Sequence, residues 1–294
     1  MYDTILVPTD GSDHARRAAE HAGLVAAAVD ATLQFVTVVD LDVAAGPFSA
    51  GGVDDDYVEQ LTEAARSTVD GTASLVDGDM AIESDVLTGT PADAILNYVT
   101  DHDVDMVCLG THGRSGLHRY LTGSVAERVL RRAPVPVMTV RETDEREVGD
   151  GYDEILVPTD GSDRAAAAVA HAVSLGERFD SRVHAVSVVN VGDIATGSEV
   201  GLPENLLREL ELAADDATAA VAGEARAAGL DAVTSVSVGR PKAALLAYVE
   251  DNGIDLVCMG THGRTGLDRV LVGSTAEALV RGSAVPVMTV SPAE

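Results

Sequence analysis

A chain of 294 residues suits about two domains, and its 46% hydrophobic content is enough for packed cores. Aromatic residues make up 3% and Trp is absent, so those cores rest on Ala, Val, Leu and Ile, as in parallel sheets flanked by Ala-rich helices. Forty-eight acids against 20 bases leave a net charge of −28, with Lys242 the sole lysine, which excludes nucleic acid and anionic membranes as partners.

In chain order, Thr4–Val7 is a short apolar run and reads as a buried strand. Ser12 and Asp13 then offer N-cap oxygens to an Ala-rich helix that runs to about Val29. Leu33–Val39 is a second, β-branched strand. A loop from Leu41 to about Asp55 follows, then a helix from Tyr57 to Leu75 with Tyr57, Leu61, Ala64, Ala65 and Thr68 available for one face. Ala81–Leu87 is a third strand. Gly89-Thr-Pro91 opens the next helix, with Pro91 in its first turn. Val104–Leu109 is a fourth strand, Gly123–Arg132 a helix and Val135–Val140 a fifth strand.

The same series then returns. Asp3-Thr-Ile-Leu-Val-Pro-Thr-Asp-Gly-Ser-Asp13 reappears as Asp153-Glu-Ile-Leu-Val-Pro-Thr-Asp-Gly-Ser-Asp163. Asp105–Arg114 is matched by Asp255–Arg264, and Pro136–Val140 by Pro286–Val290. One offset of 150 residues separates every pair, so the repeating unit is a whole domain. The expected organisation is a domain over 1–141, a polar linker over 142–151 and a second domain over 152–294. Strand–helix alternation with continuous apolar strands predicts a doubly wound, five-stranded parallel sheet in each, α/β and Rossmann-like, in the order 3-2-1-4-5.

In that order the chain reverses direction between strands 1 and 4, and open α/β sheets bind ligands at the carboxyl ends of strands beside the reversal. The two best-repeated segments, Pro8–Asp13 and Gly110–Ser124, are the exits of those strands. The fourth exit reads Gly110-Thr-His-Gly113, nine residues, Gly123-Ser124; its repeat reads Gly260-Thr-His-Gly263, nine residues, Gly273-Ser274. Glycines let backbone amides approach a ligand, and a helix that starts at Ser124 turns unpaired amides and a positive dipole end outward, which suits phosphate. Arg114 and Arg264 add charge beside it. The alternative for such a loop is a plain strand-to-helix turn.

Gly-x2-Gly-x9-Gly-Ser after strand 4, with Val-Pro-Thr-Asp after strand 1, resembles the ATP-binding branch of the universal stress protein (UspA) family over nearly the whole chain, as a tandem pair. That resemblance implies the following. Asp10 and Asp160 lie near the adenosine, beside Pro8, Thr9, Pro158 and Thr159. Val38 and Val188 offer backbone groups to adenine. Leu109, Gly110, His112, Gly113 and Arg114, with Met259, Gly260, His262, Gly263 and Arg264, wrap the phosphates and ribose. Gly123, Ser124 and Val125, with Gly273, Ser274 and Thr275, close on the phosphates. The expected ligand is ATP, or ADP or AMP, with Mg2+ as a possible companion. The last strands of the two repeats, Val135–Val140 and Val285–Val290, are expected to pair, and the chain to form a homodimer.

On this reading the chain is a stress-response binding protein whose nucleotide occupancy alters a surface or assembly state. No catalytic residue is assigned: there is no Walker-type lysine and no evident Ser–His–Asp or Cys–His arrangement. A slow Mg-dependent ATPase and a nucleotide-free assembly module are the alternatives. Asp10 has a competing role as a helix cap, and the backbone of His112 and His262 is expected to matter more than the imidazole. For Thr9 and Thr159 the alternative is a role limited to shaping the turn after proline. Arg128 and Arg131 are read as helix decoration, and His14, His21, His102 and His118 as surface residues, with no metal site among them.

Cys108 and Cys258 sit inside apolar runs and read as small buried residues. The N-terminus has no basic segment followed by an apolar stretch, and no apolar run approaches about 18 residues, so a soluble, cytoplasmic protein is expected. The acid excess reads as a halophile's surface, because self-repulsion is relieved where the Debye length falls to about 3 Å at 1 M salt. An ordinary acidic cytoplasmic protein is the alternative.

Overall fold

The computed structural model describes residues 1–41, 43, 54–112, 124–141, 151–190, 204–261 and 273–291. The chain divides into two compact units, Met1–Val148 and Gly149–Glu294.

The first unit runs β1 (Thr4–Pro8), α1 (Asp13–Val29), β2 (Thr32–Val39), α2 (Asp55–Ala73), β3 (Ile82–Thr88), α3 (Pro91–Asp101), β4 (Met106–Gly110), α4 (Ser124–Arg132) and β5 (Val137–Val140). Its strands are parallel in the order β3-β2-β1-β4-β5. The second unit runs β6 (Glu154–Pro158), α5 (Asp163–Phe179), β7 (Arg182–Val189), α6 (Glu204–Ala227), β8 (Ala232–Val238), α7 (Pro241–Asp251), β9 (Leu256–Gly260), α8 (Ser274–Gly282) and β10 (Val287–Val290). Here the parallel order is β8-β7-β6-β9-β10. Both sheets have the doubly wound topology read from the sequence.

Central strands read as apolar runs because both their faces are covered. Ile5, Leu6, Val7, Phe35, Met106 and Cys108 are fully buried in the first unit, and Ile155, Leu156, Val157, Leu256 and Cys258 in the second. Each large aliphatic buried in this way contributes about 1.5–3 kcal/mol. Helix α1 lies close on the sheet because its inner face is small: Ala15, Ala18, Ala19, Ala22 and Ala26 are buried. Its start is set by Ser12, whose Oγ accepts from the Ala15 amide at 3.3 Å. It ends at Asp30, a left-handed residue with φ 59°, a conformation that Asp tolerates better than most side chains.

One interaction ties the start of β1 to the start of β4. Asp105 Oδ2 accepts from the amides of Asp3 at 2.7 Å and Thr4 at 3.0 Å. Asp255 repeats it with Asp153 at 2.9 Å and Glu154 at 2.8 Å. These carboxylates satisfy amides that precede the ladder and fix the register of the two strands flanking the topological reversal.

Two details differ from the sequence reading, in α2 and at His21, and a third, in β3, follows from the strand order. The inner face of α2 is Val69, Thr72 and Ala73, whereas Tyr57 is 44% exposed; the helix packs by its C-terminal end. Strand β3 is exposed along most of its length, because it is the edge of its sheet. His21 is buried at 4% exposure, since it shares the inner face of α1 with Ala18 and Ala22; His14 is half-buried, His102 is exposed, and His118 lies outside the described residues.

Candidate functional site

The exits of β1 and β4 come together as the topology requires. Strand β1 stays paired to its last residues, the Thr9 amide donating to the Val36 carbonyl at 2.8 Å. The chain then turns sharply: Gly11 has φ 75°, and its amide donates to Thr9 Oγ1 at 3.0 Å. Asp10 Oδ1 accepts from the Ser12 amide at 3.0 Å, so Asp10 shapes the turn while Ser12 caps the helix. Thr9 Oγ1 also bonds Thr72 Oγ1 at 2.9 Å, which brings the end of α2 against the turn.

The second unit repeats this turn. Thr159 donates its amide to Val186 at 2.9 Å, Gly161 has φ 75°, and its amide meets Thr159 Oγ1 at 3.1 Å. Asp160 Oδ1 accepts from both the amide and the hydroxyl of Ser162, at 3.0 and 2.6 Å.

Val38 and Val188 are placed by ladder parity. Because Val36 bonds toward β1, Val38 two residues on also turns its peptide groups to that side, beyond Pro8, where the pairing with β1 ends. Both valines are half-buried between buried neighbours. Backbone groups at this position can read the edge of a planar heterocycle.

Across the reversal, Thr111 is buried and its amide donates to Val140 at 2.9 Å. Ser12 Oγ donates to the His112 carbonyl at 3.4 Å, joining the two exits directly. The His112 ring is held by Thr111 Oγ1 at 3.1 Å, and its centroid stands 5.0 Å from that of His14. Ser12 thus meets the backbone of His112, an arrangement that positions a loop rather than activating a nucleophile.

Gly110 has a role that the motif alone did not reveal. A Cβ here would lie 2.7 Å from the His14 carbonyl carbon and 2.9 Å from the Ala15 amide; at Gly260 it would lie 2.3 Å from the Arg164 carbonyl oxygen. These glycines let the first turn of α1 or α5 sit against the strand exit.

The second unit also defines the start of the closing helix. Gly273 is the N-cap of α8, and its amide donates to the Thr261 carbonyl at 2.7 Å. Among the described residues no side chain caps that helix, and Ser274 is exposed at its first position. Its first amides and its dipole therefore start from the exit of β9. In the first unit Ser124 opens α4, followed by half-buried Val125. Gly113, Arg114 and Gly123, with His262, Gly263 and Arg264, lie outside the described residues. Pro8 and Pro158, with Leu109 and Met259, are buried at their strand ends.

Beside the β6 exit is an open cavity of about 380 Å³, lined by Thr159, Gly161 and Ser162 and by Ala213, Ala217 and Val221 of α6. It runs between α5 and α6 and carries Asp163, Asp216 and Glu224. Its three carboxylates make it unsuited to phosphate. Burial pushes the Cys108 and Cys258 thiols well above their ordinary range, and Cys108 Sγ donates to the Ala18 carbonyl at 3.2 Å. Both are core residues, as their apolar surroundings in sequence indicated.

Two doubly wound sheets, each with a glycine-bearing exit at its topological reversal, define a duplicated α/β-domain protein. The chain belongs to the universal stress protein family, whose profile matches residues 1–141 and 151–291. It is 28% identical over 291 residues to a universal stress protein of Mycobacterium bovis, covering 97% of this chain and 95% of that one. A shorter universal stress protein of Methanocaldococcus jannaschii is 34% identical over 139 residues, covering 47% of this chain and 82% of its own. A universal stress protein from Archaeoglobus fulgidus has the same fold, with a TM-score of 0.70, 23% identity and 99% of each chain covered. Among the described residues no helix is long and apolar enough to cross a membrane, and no group of three or more His, Cys, Asp or Glu is placed to hold a metal ion.

Proposed function

We propose that each unit binds an adenine nucleotide at its topological reversal, and that the protein is a stress-response binding protein governed by that occupancy. The observation that carries this reading is the joining of the strand exits. Ser12 bonds the His112 carbonyl, and in the second unit Thr261 holds the N-cap of a helix without a side-chain cap. A ligand seated there would meet Val38 or Val188 backbone at its base and helix amides at its phosphates. Asp10 and Asp160, each with one oxygen in the turn, stand where a ribose would pass. ATP is the expected ligand, with Mg2+ balancing its phosphates in a chain of net charge −28. Thr111, whose hydroxyl meets the His112 ring, is buried at 1% exposure, which favours a structural role for that pair over catalysis.

Equilibrium dialysis of the full chain against Mg-ATP in concentrated salt tests the proposal. Saturable uptake is expected, reduced by about one equivalent in Gly273→Val and by one in Gly123→Val. A chain that is folded yet takes up no nucleotide would leave the alternative of a structural assembly module. Phosphate release above background would add slow ATPase activity to the binding role.

A further inference from the structure

Strands β3 and β8 are equivalent edges, each pairing on one side only among the described residues, but they differ in charge. Strand β3 reads Ile82-Glu-Ser-Asp-Val-Leu-Thr88, with Glu83 and Asp85 on it. Strand β8 reads Ala232-Val-Thr-Ser-Val-Ser-Val238 and has no charged residue, no proline and three valines. An extended, uncharged, β-branched edge is a template for another strand, and charges on an edge are the usual guard against that. In a chain of net charge −28, seven consecutive uncharged residues on an open edge stand out.

We infer that β8 is an interface for a second copy of this chain, joined by antiparallel β8–β8 pairing about a twofold axis. The hydrogen-bonding groups point the right way. Val183 donates to the Asp231 carbonyl and Gly239 to the Val189 carbonyl, so the odd-numbered residues bond β7. Thr234, Val236 and Val238 therefore turn their amides and carbonyls outward. Among the described residues the Ala232 carbonyl alone of these outward groups is engaged, by Arg226 Nη2 at 2.7 Å.

The occupant follows from charge. Pairing centred on Ser235 sets Thr234 opposite Val236 and Val233 opposite Ser237, with no like charges facing each other, the usual penalty when an acidic protein meets itself. The same pairing at β3 would set acid near acid. A charged partner would find one cation, Arg226 at the Ala232 end, and no charge over Val233–Val238, whereas an identical strand matches that stretch. Apolar surface flanks the edge: Val233 is 37% exposed, Val238 45% and Leu212 56%. Leu212 lies fourteen residues before Arg226, near the same face of α6, the face from which Arg226 reaches β8. A closed twofold contact of this kind ends the assembly rather than propagating it.

The test combines sedimentation velocity and hydrogen exchange on the full chain over a range of concentrations in concentrated salt. The variant Val233→Glu with Ser235→Asp transplants the Glu83 and Asp85 pattern that β3 already accommodates. Val236→Pro removes an outward amide without touching a bond to β7. The wild type should associate as concentration rises and gain protection at the Thr234 and Val236 amides. Both variants should associate at least tenfold more weakly and lose that gain. Equal association in wild type and variants, or no concentration-dependent protection at Thr234 and Val236, would overturn the inference.

Discussion

The absent side chain of Gly260 faces the backbone of Arg164: a Cβ there would stand 2.3 Å from the Arg164 carbonyl oxygen. Backbone in the first turn of a helix has no cheap way to move, so Gly260→Ala should cost about 1–3 kcal/mol as overpacking. Gly110→Ala, with nearest approaches of 2.7 Å to His14, should cost a similar amount. Gly223→Ala is the contrast. It lies within α6 and its Cβ would meet nothing within 4 Å, so it should stabilise by about 0.5–1 kcal/mol. Urea unfolding of the three variants checks the signs.

Asp105 and Asp255 should behave as matched structural anchors. Each accepts two backbone amides with one carboxylate oxygen. Replacing either with Ala leaves those amides without their charged acceptor, at a cost of about 1.5–3 kcal/mol. Asn should recover part of this through its amide oxygen. Denaturant midpoints of D105A, D105N, D255A and D255N measure it, and an unchanged midpoint for D105A would refute the anchoring role.

Acidification should weaken the second unit through His171. Burial lowers its pKa from the ordinary value of 6.5, so the folded state favours the neutral ring. The unfolded chain takes up the proton first as pH falls. The stabilising contribution is therefore complete above about pH 6.5 and is lost progressively below it. His171→Gln should give a flatter stability profile between about pH 7 and 5, read from thermal melts at constant salt. An equally steep profile in the variant would assign the acid sensitivity to other groups.

The two cysteines should be silent in the native protein. Both are fully buried, and burial disfavours the thiolate that reacts. Maleimide should label neither in folded chain and both after denaturation, with mass spectrometry as the readout. Rapid native labelling would contradict the core placement.

The strand order was legible because the two signals that set it are local. Apolar runs such as Ile5-Leu-Val7 and Met106-Val-Cys108 mark central strands, and the Ala-rich stretch after Ser12 marks a crossover helix. Repetition at one offset made the second unit as readable as the first. What periodicity missed depends on distance in the sequence. Asp105 anchors amides 101 and 102 residues away, and no local pattern announces that. Tyr57 belonged to a plausible helical face, but α2 packs through Val69, Thr72 and Ala73 at its C-terminal end. His21 carries a polar ring on an otherwise Ala-lined face, where its type outweighed its position.

The meeting of the two strand exits was legible, the roles of their residues only in part. Topology placed Pro8–Asp13 beside Gly110–His112, and the Ser12–His112 bond joins them. Gly110 read as a glycine for a ligand, yet its bare Cα is already required by α1. Asp10 read as either a ligand contact or a cap; Ser12 is the cap, while Asp10 forms the turn. The loops after β2 and the centres of the glycine motifs lie outside the described residues, so Arg114, Gly123 and Arg264 keep only their sequence arguments.

Small molecules released by denaturing the full chain, purified in concentrated salt without added nucleotide and then titrated with Mg-ATP, test the central claim most directly. Mass spectrometry is expected to find adenine nucleotide, reaching two equivalents per chain at saturation, with one lost in Gly273→Val. No adenine nucleotide in the purified chain, and none taken up by a chain that circular dichroism shows to be folded, would contradict nucleotide binding at the strand exits.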